Sequence, residues 1–283
     1  MTEKDAKKLS SKDLGNLFDL TGKTAIVTGG AGVIGSRVCT GLAENGANVI
    51  IAELDLDAGE ALAEKINAMQ KGKALALECD VSDPKSVAGF MQESIAAFGK
   101  IDILHNNVSG KPKDLGEFLA TFEDYKLETW RDAMSVSLDG IFLMAQAVGR
   151  QMVAQGHGGS IIQTSSTYGL VGPDFRIYEG SEYLGHQITT PCFYPASKAA
   201  VAGLTRYLAT YWADKGIRVN TLVPGGVESG QNEQFQKLYG ARTPLGRMAH
   251  VDEIVGAVIY LASDASSYMT GQMMIVDGGW TAW

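Results

Sequence analysis

Short apolar runs and helix-period segments alternate along this chain of 283 residues, from position 24 almost to its end. The runs fall at 24–28, 49–52, 74–77, 101–105, 160–164, 218–223 and 273–276. Apolar residues at helical spacing fill 36–45, 58–69, 87–98, 130–154, 195–215 and 251–262, and Gly46, Gly99 and Gly216 stand where three of these segments stop. Strict alternation of this kind implies crossover connections on a parallel sheet, with helices packed on both faces. A strand covered on both sides reads as an unbroken apolar run rather than an in–out pattern. The seven runs read that way. The chain is therefore expected to be α/β, a doubly wound parallel sheet of about seven strands. No internal repeat or Ser/Pro-rich linker divides it, so one domain over 21–283 is expected. A charged, mobile tail is expected over 1–20.

Composition narrows the function. Hydrophobic residues make up 45% and charged residues 20%, ordinary values for a globular protein. The net charge of −8 is the wrong sign for meeting nucleic-acid phosphates. No apolar run approaches the ~20 residues of a membrane-spanning helix. The amino terminus, Met1 to Lys8, is charged and lacks the apolar centre of a signal peptide. Cys39, Cys79 and Cys192 form no Cys-x-x-Cys pair, which argues against a disulfide framework or a zinc site. His157 and His250 have no partner at ligand spacing, and no metal is expected. A cytoplasmic protein acting on a small molecule is expected.

Between the first run and the first helix lies Thr28-Gly29-Gly30-Ala31-Gly32-Val33-Ile34-Gly35. Glycines there permit positive φ and close backbone approach. The helix behind them presents unpaired N–H groups and its positive dipole end to a pyrophosphate. The strand–turn–helix context is that of the Rossmann-like dinucleotide motif. Glu53 closes the second run, 18 positions after Gly35. A carboxylate there can accept hydrogen bonds from the adenosine ribose and repel a 2′-phosphate. No Arg or Lys follows it, so NAD is favoured over NADP; the other reading of Glu53 is a solvated strand-end acid. Asp80 lies at the end of the third run. It can meet the adenine edge or cap the helix that starts near Pro84.

Tyr194 and Lys198 are four apart in Phe193-Tyr194-Pro195-Ala196-Ser197-Lys198 and share one helix face. A phenol titrates near pH ~10, and a fixed cation beside it favours the phenolate. With Thr28-Gly29 to Gly35, Cys79-Asp80-Val81, Asn106-Asn107, Ser165-Ser166, Pro224-Gly225 and Val276-Asp277-Gly278-Gly279, the chain resembles the short-chain dehydrogenase/reductase family over about 21–283. The resemblance implies hydride transfer between nicotinamide and a carbinol or carbonyl carbon. It makes Tyr194 the acid/base and Ser166 its partner on the substrate oxygen. Lys198 tunes Tyr194 and binds the nicotinamide ribose. Gly29, Gly32, Val33, Ile34, Gly35, Glu53, Asp80, Val81, Asn107, Pro224, Gly225 and Val227 contact the cofactor. It also implies a homo-dimer or homo-tetramer built on the segments 130–154 and 195–215.

The chain departs from that family's pattern in three places. Val33 replaces a glycine of the usual Gly-Ile-Gly. Val108-Ser109 stands where Ala-Gly is usual. Ser137, in Val136-Ser137-Leu138, stands where an Asn holds a water on the path to the lysine. Ser137 either takes over that task with an extra water or only packs the helix.

Ser166 and Tyr194 are 28 positions apart, about twice the family's usual spacing. The extra residues, 172–193, must lie over the site and are expected to read the substrate, with 226–247 as the opposite wall. Arg176 can bind a carboxylate or pair with Asp174 or Glu179. Tyr178, Glu179, Tyr183, His186 and Gln187 offer hydrogen bonds. Such a loop suits a sugar, sugar acid or polyol. Two rival readings are an NADPH-dependent reductase of 3-oxoacyl thioesters and a non-catalytic NAD-binding sensor.

Overall fold

The computed structural model describes residues 14–110 and 114–283. Seven strands form one parallel sheet: β1 Thr24–Thr28, β2 Asn48–Glu53, β3 Ala74–Glu78, β4 Ile103–Asn106, β5 Gly159–Thr164, β6 Ile217–Pro224 and β7 Met273–Val276. Their order is β3-β2-β1-β4-β5-β6-β7. The chain runs outward from β1 to β3, then returns to lay β4 against the other side of β1. The reversal leaves a crevice beyond the carboxyl ends of β1 and β4, where open α/β sheets bind ligands.

Each central strand feeds two cores. Val27, Val49 and Ile51 pack with the helices Val33–Glu44 and Asp252–Ala262 on one face. Ile26, Ile50 and Leu104 point the other way, against Gly140–Gln155 and Phe193–Tyr211. All six of these strand side chains are fully buried. This is the physical content of the unbroken apolar runs.

Several boundaries differ from the sequence reading. The first helix opens at Val33, directly after the glycines, rather than at 36. The fourth strand opens at Ile103. Before it, the Asp102 carboxylate accepts the Thr24 N–H at 2.8 Å and Ile101 N–H donates to the Gln155 side chain. The segment 130–154 is not one α-helix. Leu127–Met134 and Gly140–Gln155 are joined by a π-helical turn at Ser135–Asp139 that holds Ser137 fully buried. The next helix is Phe193–Tyr211, two residues earlier at its start than expected. Most of the tail lies outside the described residues. Its last part is docked: Leu17 O accepts the Ala265 N–H, and Leu20 is 1% exposed.

The segment 172–193 forms a 3₁₀ turn at Phe175–Tyr178 and a small hairpin, Glu182–Tyr183 with His186–Gln187. The opposite segment carries the helix Glu233–Arg242. Ile177, Phe235, Tyr239, Met248 and Trp280 make a third core that joins the two.

Candidate active site

The glycine turn is shaped by close packing. Gly29 has φ +59°, and a Cβ on Gly35 would stand 2.1 Å from Gly29 O, so the helix start lies directly on the turn. Gly32 caps that helix without any side-chain hydrogen bond, which leaves the first-turn N–H groups for an anion. Val33 is 51% exposed, so replacing a glycine there creates no crowding. Asn107 ties the turn to β4: its amide nitrogen donates to Thr28 O at 3.3 Å and Gly29 O at 3.4 Å. Thr28 Oγ1 returns the tie by accepting Asn107 N–H at 3.0 Å. Thr28 was not singled out above, although it opens the Thr-Gly-Gly signal.

Two adjoining clefts open at this point and share Asn107, Ser109 and Phe118. The first, about 600 Å³, is bordered by Gly29, Gly32, Glu53, Asp80 and Val81. Glu53 accepts hydrogen bonds from Ala31 N–H (3.1 Å) and Leu54 N–H (3.0 Å), which fixes its carboxylate beside the glycine turn. Asp80 is not a helix cap. Asp83 caps the helix Pro84–Phe98, and the Asp80 carboxylate accepts Ser82 N–H and O–H instead. These features fit an adenosine diphosphate: uncapped donors at the helix start, close backbone packing at Gly30 and Gly35, and the Glu53 carboxylate in the same cleft.

The second cleft, about 480 Å³, brings together Val33, Ile34, Ser166, Tyr194, Lys198, Pro224, Gly225 and Val227. The Ser166 hydroxyl and the Tyr194 phenol face each other in this cleft, close enough for the hydroxyl to lower the phenol's pKa, although 27 residues separate them in the chain. Lys198 is buried. Its ammonium donates to Thr164 O at 3.1 Å and lies 5.6 Å from the centre of the Tyr194 ring. Burial pushes Lys198 down to about 8. The lysine was expected to lower the Tyr194 pKa; in the free protein that pKa stands above its ordinary value. Burial raises the phenol, and the Ser166 hydrogen bond offsets only part of that. Desolvation acts against both charged forms at once, so the free protein favours the neutral phenol.

Thr164 anchors a further buried group. Its hydroxyl lies 2.8 Å from His105 Nε2, and burial drives His105 down to about 3, so the imidazole is neutral. No sequence signal marked His105, because it sits inside an apolar strand.

Ser137 faces the loop after β4. Its oxygen accepts Gly110 N–H at 2.9 Å and faces Ser109 Oγ at 3.5 Å. It holds the loop after β4 from beneath.

Among the candidates in 172–193, Tyr178 lines the second cleft, together with Thr189, Thr190 and Pro191. Arg176 and Glu179 do not. Arg176 is 80% exposed and forms a two-point contact with Asp174, its Nε at 2.8 Å and Nη2 at 2.6 Å. The internal pairing wins because Asp174 caps the same 3₁₀ turn and also faces Arg242 at 3.7 Å. Glu179 is exposed, as are Tyr183, His186 and Gln187 on the hairpin. Phe235 and Tyr239 of the opposite segment do line the cleft. Their aromatic spacing on a polar helix, at i and i+4, was a readable signal that went unused.

Comparison with known proteins agrees with this geometry. A family model described as Enoyl-(Acyl carrier protein) reductase matches residues 29–281. The chain is 34% identical to D-threitol dehydrogenase of Mycolicibacterium smegmatis, over 93% of this chain and 95% of that protein. A short-chain type dehydrogenase/reductase from Mycobacterium marinum superposes with a TM-score of 0.83 at 36% identity, covering 96% of this chain and 100% of that one. A gluconate 5-dehydrogenase from Burkholderia cenocepacia, solved with NADP and tartrate, does so with a TM-score of 0.81 at 33% identity, over 95% and 98%. With seven parallel strands, a glycine turn and a Ser–Tyr–Lys constellation at the crevice, the chain belongs to the short-chain dehydrogenase/reductase family, oxidoreductases that use a nicotinamide cofactor.

Proposed function

We propose that this enzyme oxidises a secondary alcohol of a sugar, sugar acid or polyol with NAD, within one catalytic domain spanning 21–283. The observation that carries the reading is the meeting of the Ser166 hydroxyl and the Tyr194 phenol in a cleft continuous with the glycine turn. The nicotinamide supplies the hydride acceptor. In this reading Ser166 and Tyr194 hold the carbinol oxygen, and Tyr194 takes its proton as the carbon becomes a carbonyl. Lys198, held by Thr164 O, places a positive charge below the phenol and binds the nicotinamide ribose. Asn107, Pro224, Gly225 and Val227 bound the nicotinamide end; Val33, Ile34 and Gly35 meet the diphosphate, and Asp80 and Val81 the adenine. Ser137 acts by supporting the loop that carries Ser109 and Gly110.

NAD, rather than NADP, is supported by Glu53. Its carboxylate is held by two backbone N–H groups beside the glycine turn, and a negative charge in this cleft would repel a 2′-phosphate. The D-threitol and gluconate 5-dehydrogenase relatives support a polyhydroxylated substrate. A homo-oligomer is supported by exposed Phe142, Tyr207 and Tyr211 on the two long helices. A cytoplasmic setting is supported by three unpaired cysteines, two of them buried.

The test is NADH formation across tetritols, hexitols, aldoses and aldonates, run in parallel with NADP. Turnover of at least one polyhydroxylated alcohol with a clear preference for NAD is expected. A preference for NADP would overturn the cofactor assignment, and turnover confined to 3-oxoacyl thioesters would overturn the substrate assignment.

A further inference from the structure

The insertion between Ser166 and Tyr194 brings three hydroxyls into one chain. Tyr178 O–H meets Thr190 Oγ1, and its other side faces Tyr168 O–H at 3.4 Å. All three residues line the cleft that holds Ser166 and Tyr194. Tyr178 lines the same cleft as Tyr194 and stands close enough to oppose the ionisation of that phenol. The Tyr178 ring is fixed from behind by stacking on Phe235, with centroids 5.4 Å apart. Its backbone oxygen accepts Gln187 Nε2 at 2.7 Å. The phenol is therefore held in place on both sides.

We propose that Tyr178, backed by Thr190 and Tyr168, forms a subsite for a neutral hydroxyl on the carbon next to the reacting carbinol. This inference rests on the function proposed above and narrows it to vicinal diols. Each hydroxyl can donate one bond and accept others. Two bonds join the three groups, which leaves donor and acceptor capacity for a ligand. Burial pushes both Tyr168 and Tyr178 upward, so they stay protonated at assay pH and present neutral partners. Among the described residues bordering this cleft, Lys198 is the one cationic side chain, and it lies beneath Tyr194. Arg176 and Arg242 both face Asp174. A hydroxyl is matched at this subsite, and a carboxylate is not.

The experiment compares kcat/KM for cis-1,2-cyclohexanediol and cyclohexanol, which differ by the one hydroxyl at issue. The wild-type enzyme is expected to prefer the diol by about tenfold, the size of one neutral hydrogen bond. Tyr178→Phe keeps the ring that stacks on Phe235 and should remove most of that preference. Thr190→Val, nearly the same shape, should shift it the same way by a smaller factor. A preference unchanged in both variants overturns the subsite. So does a wild-type enzyme that turns over sugars or polyols yet does not distinguish the diol from cyclohexanol; the proposed function then survives. No turnover of any alcohol with either nicotinamide cofactor would remove both.

Discussion

Lys198 keeps an ammonium almost wholly buried, and its ordinary value of 10.5 falls to about 8 as a result. That difference corresponds to about 3 kcal/mol of native-state cost at neutral pH. Lys198→Met is therefore expected to stabilise the free protein by up to that amount, less the lost bond to Thr164 O, while abolishing turnover. The sign with pH follows. Below about pH 8 the lysine is charged in both folded and unfolded chains and the penalty is complete. Between about 8 and 10.5 the unfolded chain holds the extra proton, so wild-type stability should rise with pH. Urea denaturation at pH 7 and 9.5 should show that rise in the wild type and its loss in the methionine variant. A variant less stable than wild type at pH 7 would contradict the assignment. Tyr194 titrates in the opposite sense: burial raises it, so the phenol is protonated across the neutral range. Alcohol oxidation needs a proton acceptor there. Its kcat/KM should climb with pH while carbonyl reduction falls. Tyr194→Phe should cost a factor of about 10²–10⁴ in kcat with cofactor affinity retained, as measured by initial rates and by NADH fluorescence titration.

At the level of elements, the π-turn at Ser135–Asp139 is the feature that periodicity concealed. One extra residue in a helical turn leaves the apolar spacing on either side almost intact, so 130–154 reads as a single helix. The buried strands were legible because their two-sided burial imposes unbroken apolar runs. The glycine turn was legible because no other residue fits against Gly29 O. Tyr194, Lys198 and Ser166 were legible through order and spacing. What the insertion does was not, since Arg176 had an acid two positions away that no periodic pattern ranks above a substrate. Likewise His105 and Thr164 meet only through strand pairing. The π-turn also carries a prediction. Ser137 satisfies Gly110 N–H from below, and Ser137→Ala should orphan that donor at a cost of about 1 kcal/mol. A fall in Tm of about 2–4 °C is expected, together with a raised KM for NAD and a kcat within tenfold of wild type. A thousandfold loss of kcat at unchanged Tm would place Ser137 on the proton path instead.

For the whole molecule, the cleft of Ser166 and Tyr194 lies at one end of the sheet, while a separate surface lies along the outer sides of two long helices. Gly140–Gln155 exposes Phe142 (46%) and Val153 (38%), and Phe193–Tyr211 exposes Tyr207 and Tyr211 (61% each). The two tyrosine rings stack at 5.7 Å on the surface. Arg150 and Gln146 border the same shallow groove. Exposed aromatic residues beside an arginine are the composition of an interface centre, and isolated folded domains seldom leave such a patch in water. The same helices support the site from behind: Gly140 packs its backbone on Val81, with no room for a Cβ, and Phe193–Tyr211 carries Tyr194 and Lys198. Pairing of these helices between two copies would clamp the elements that hold Tyr194 and Lys198. Tyr207→Glu combined with Phe142→Glu places like charges at the centre of that contact, and light scattering should then report a smaller assembly than the wild type. Because Tyr194 and Lys198 lie one helix face away from the substituted residues, the dissociated form should still bind NADH while losing kcat and several degrees of Tm. A wild-type protein that is monomeric at micromolar concentration, or a variant of unchanged mass, would remove this surface from the assembly.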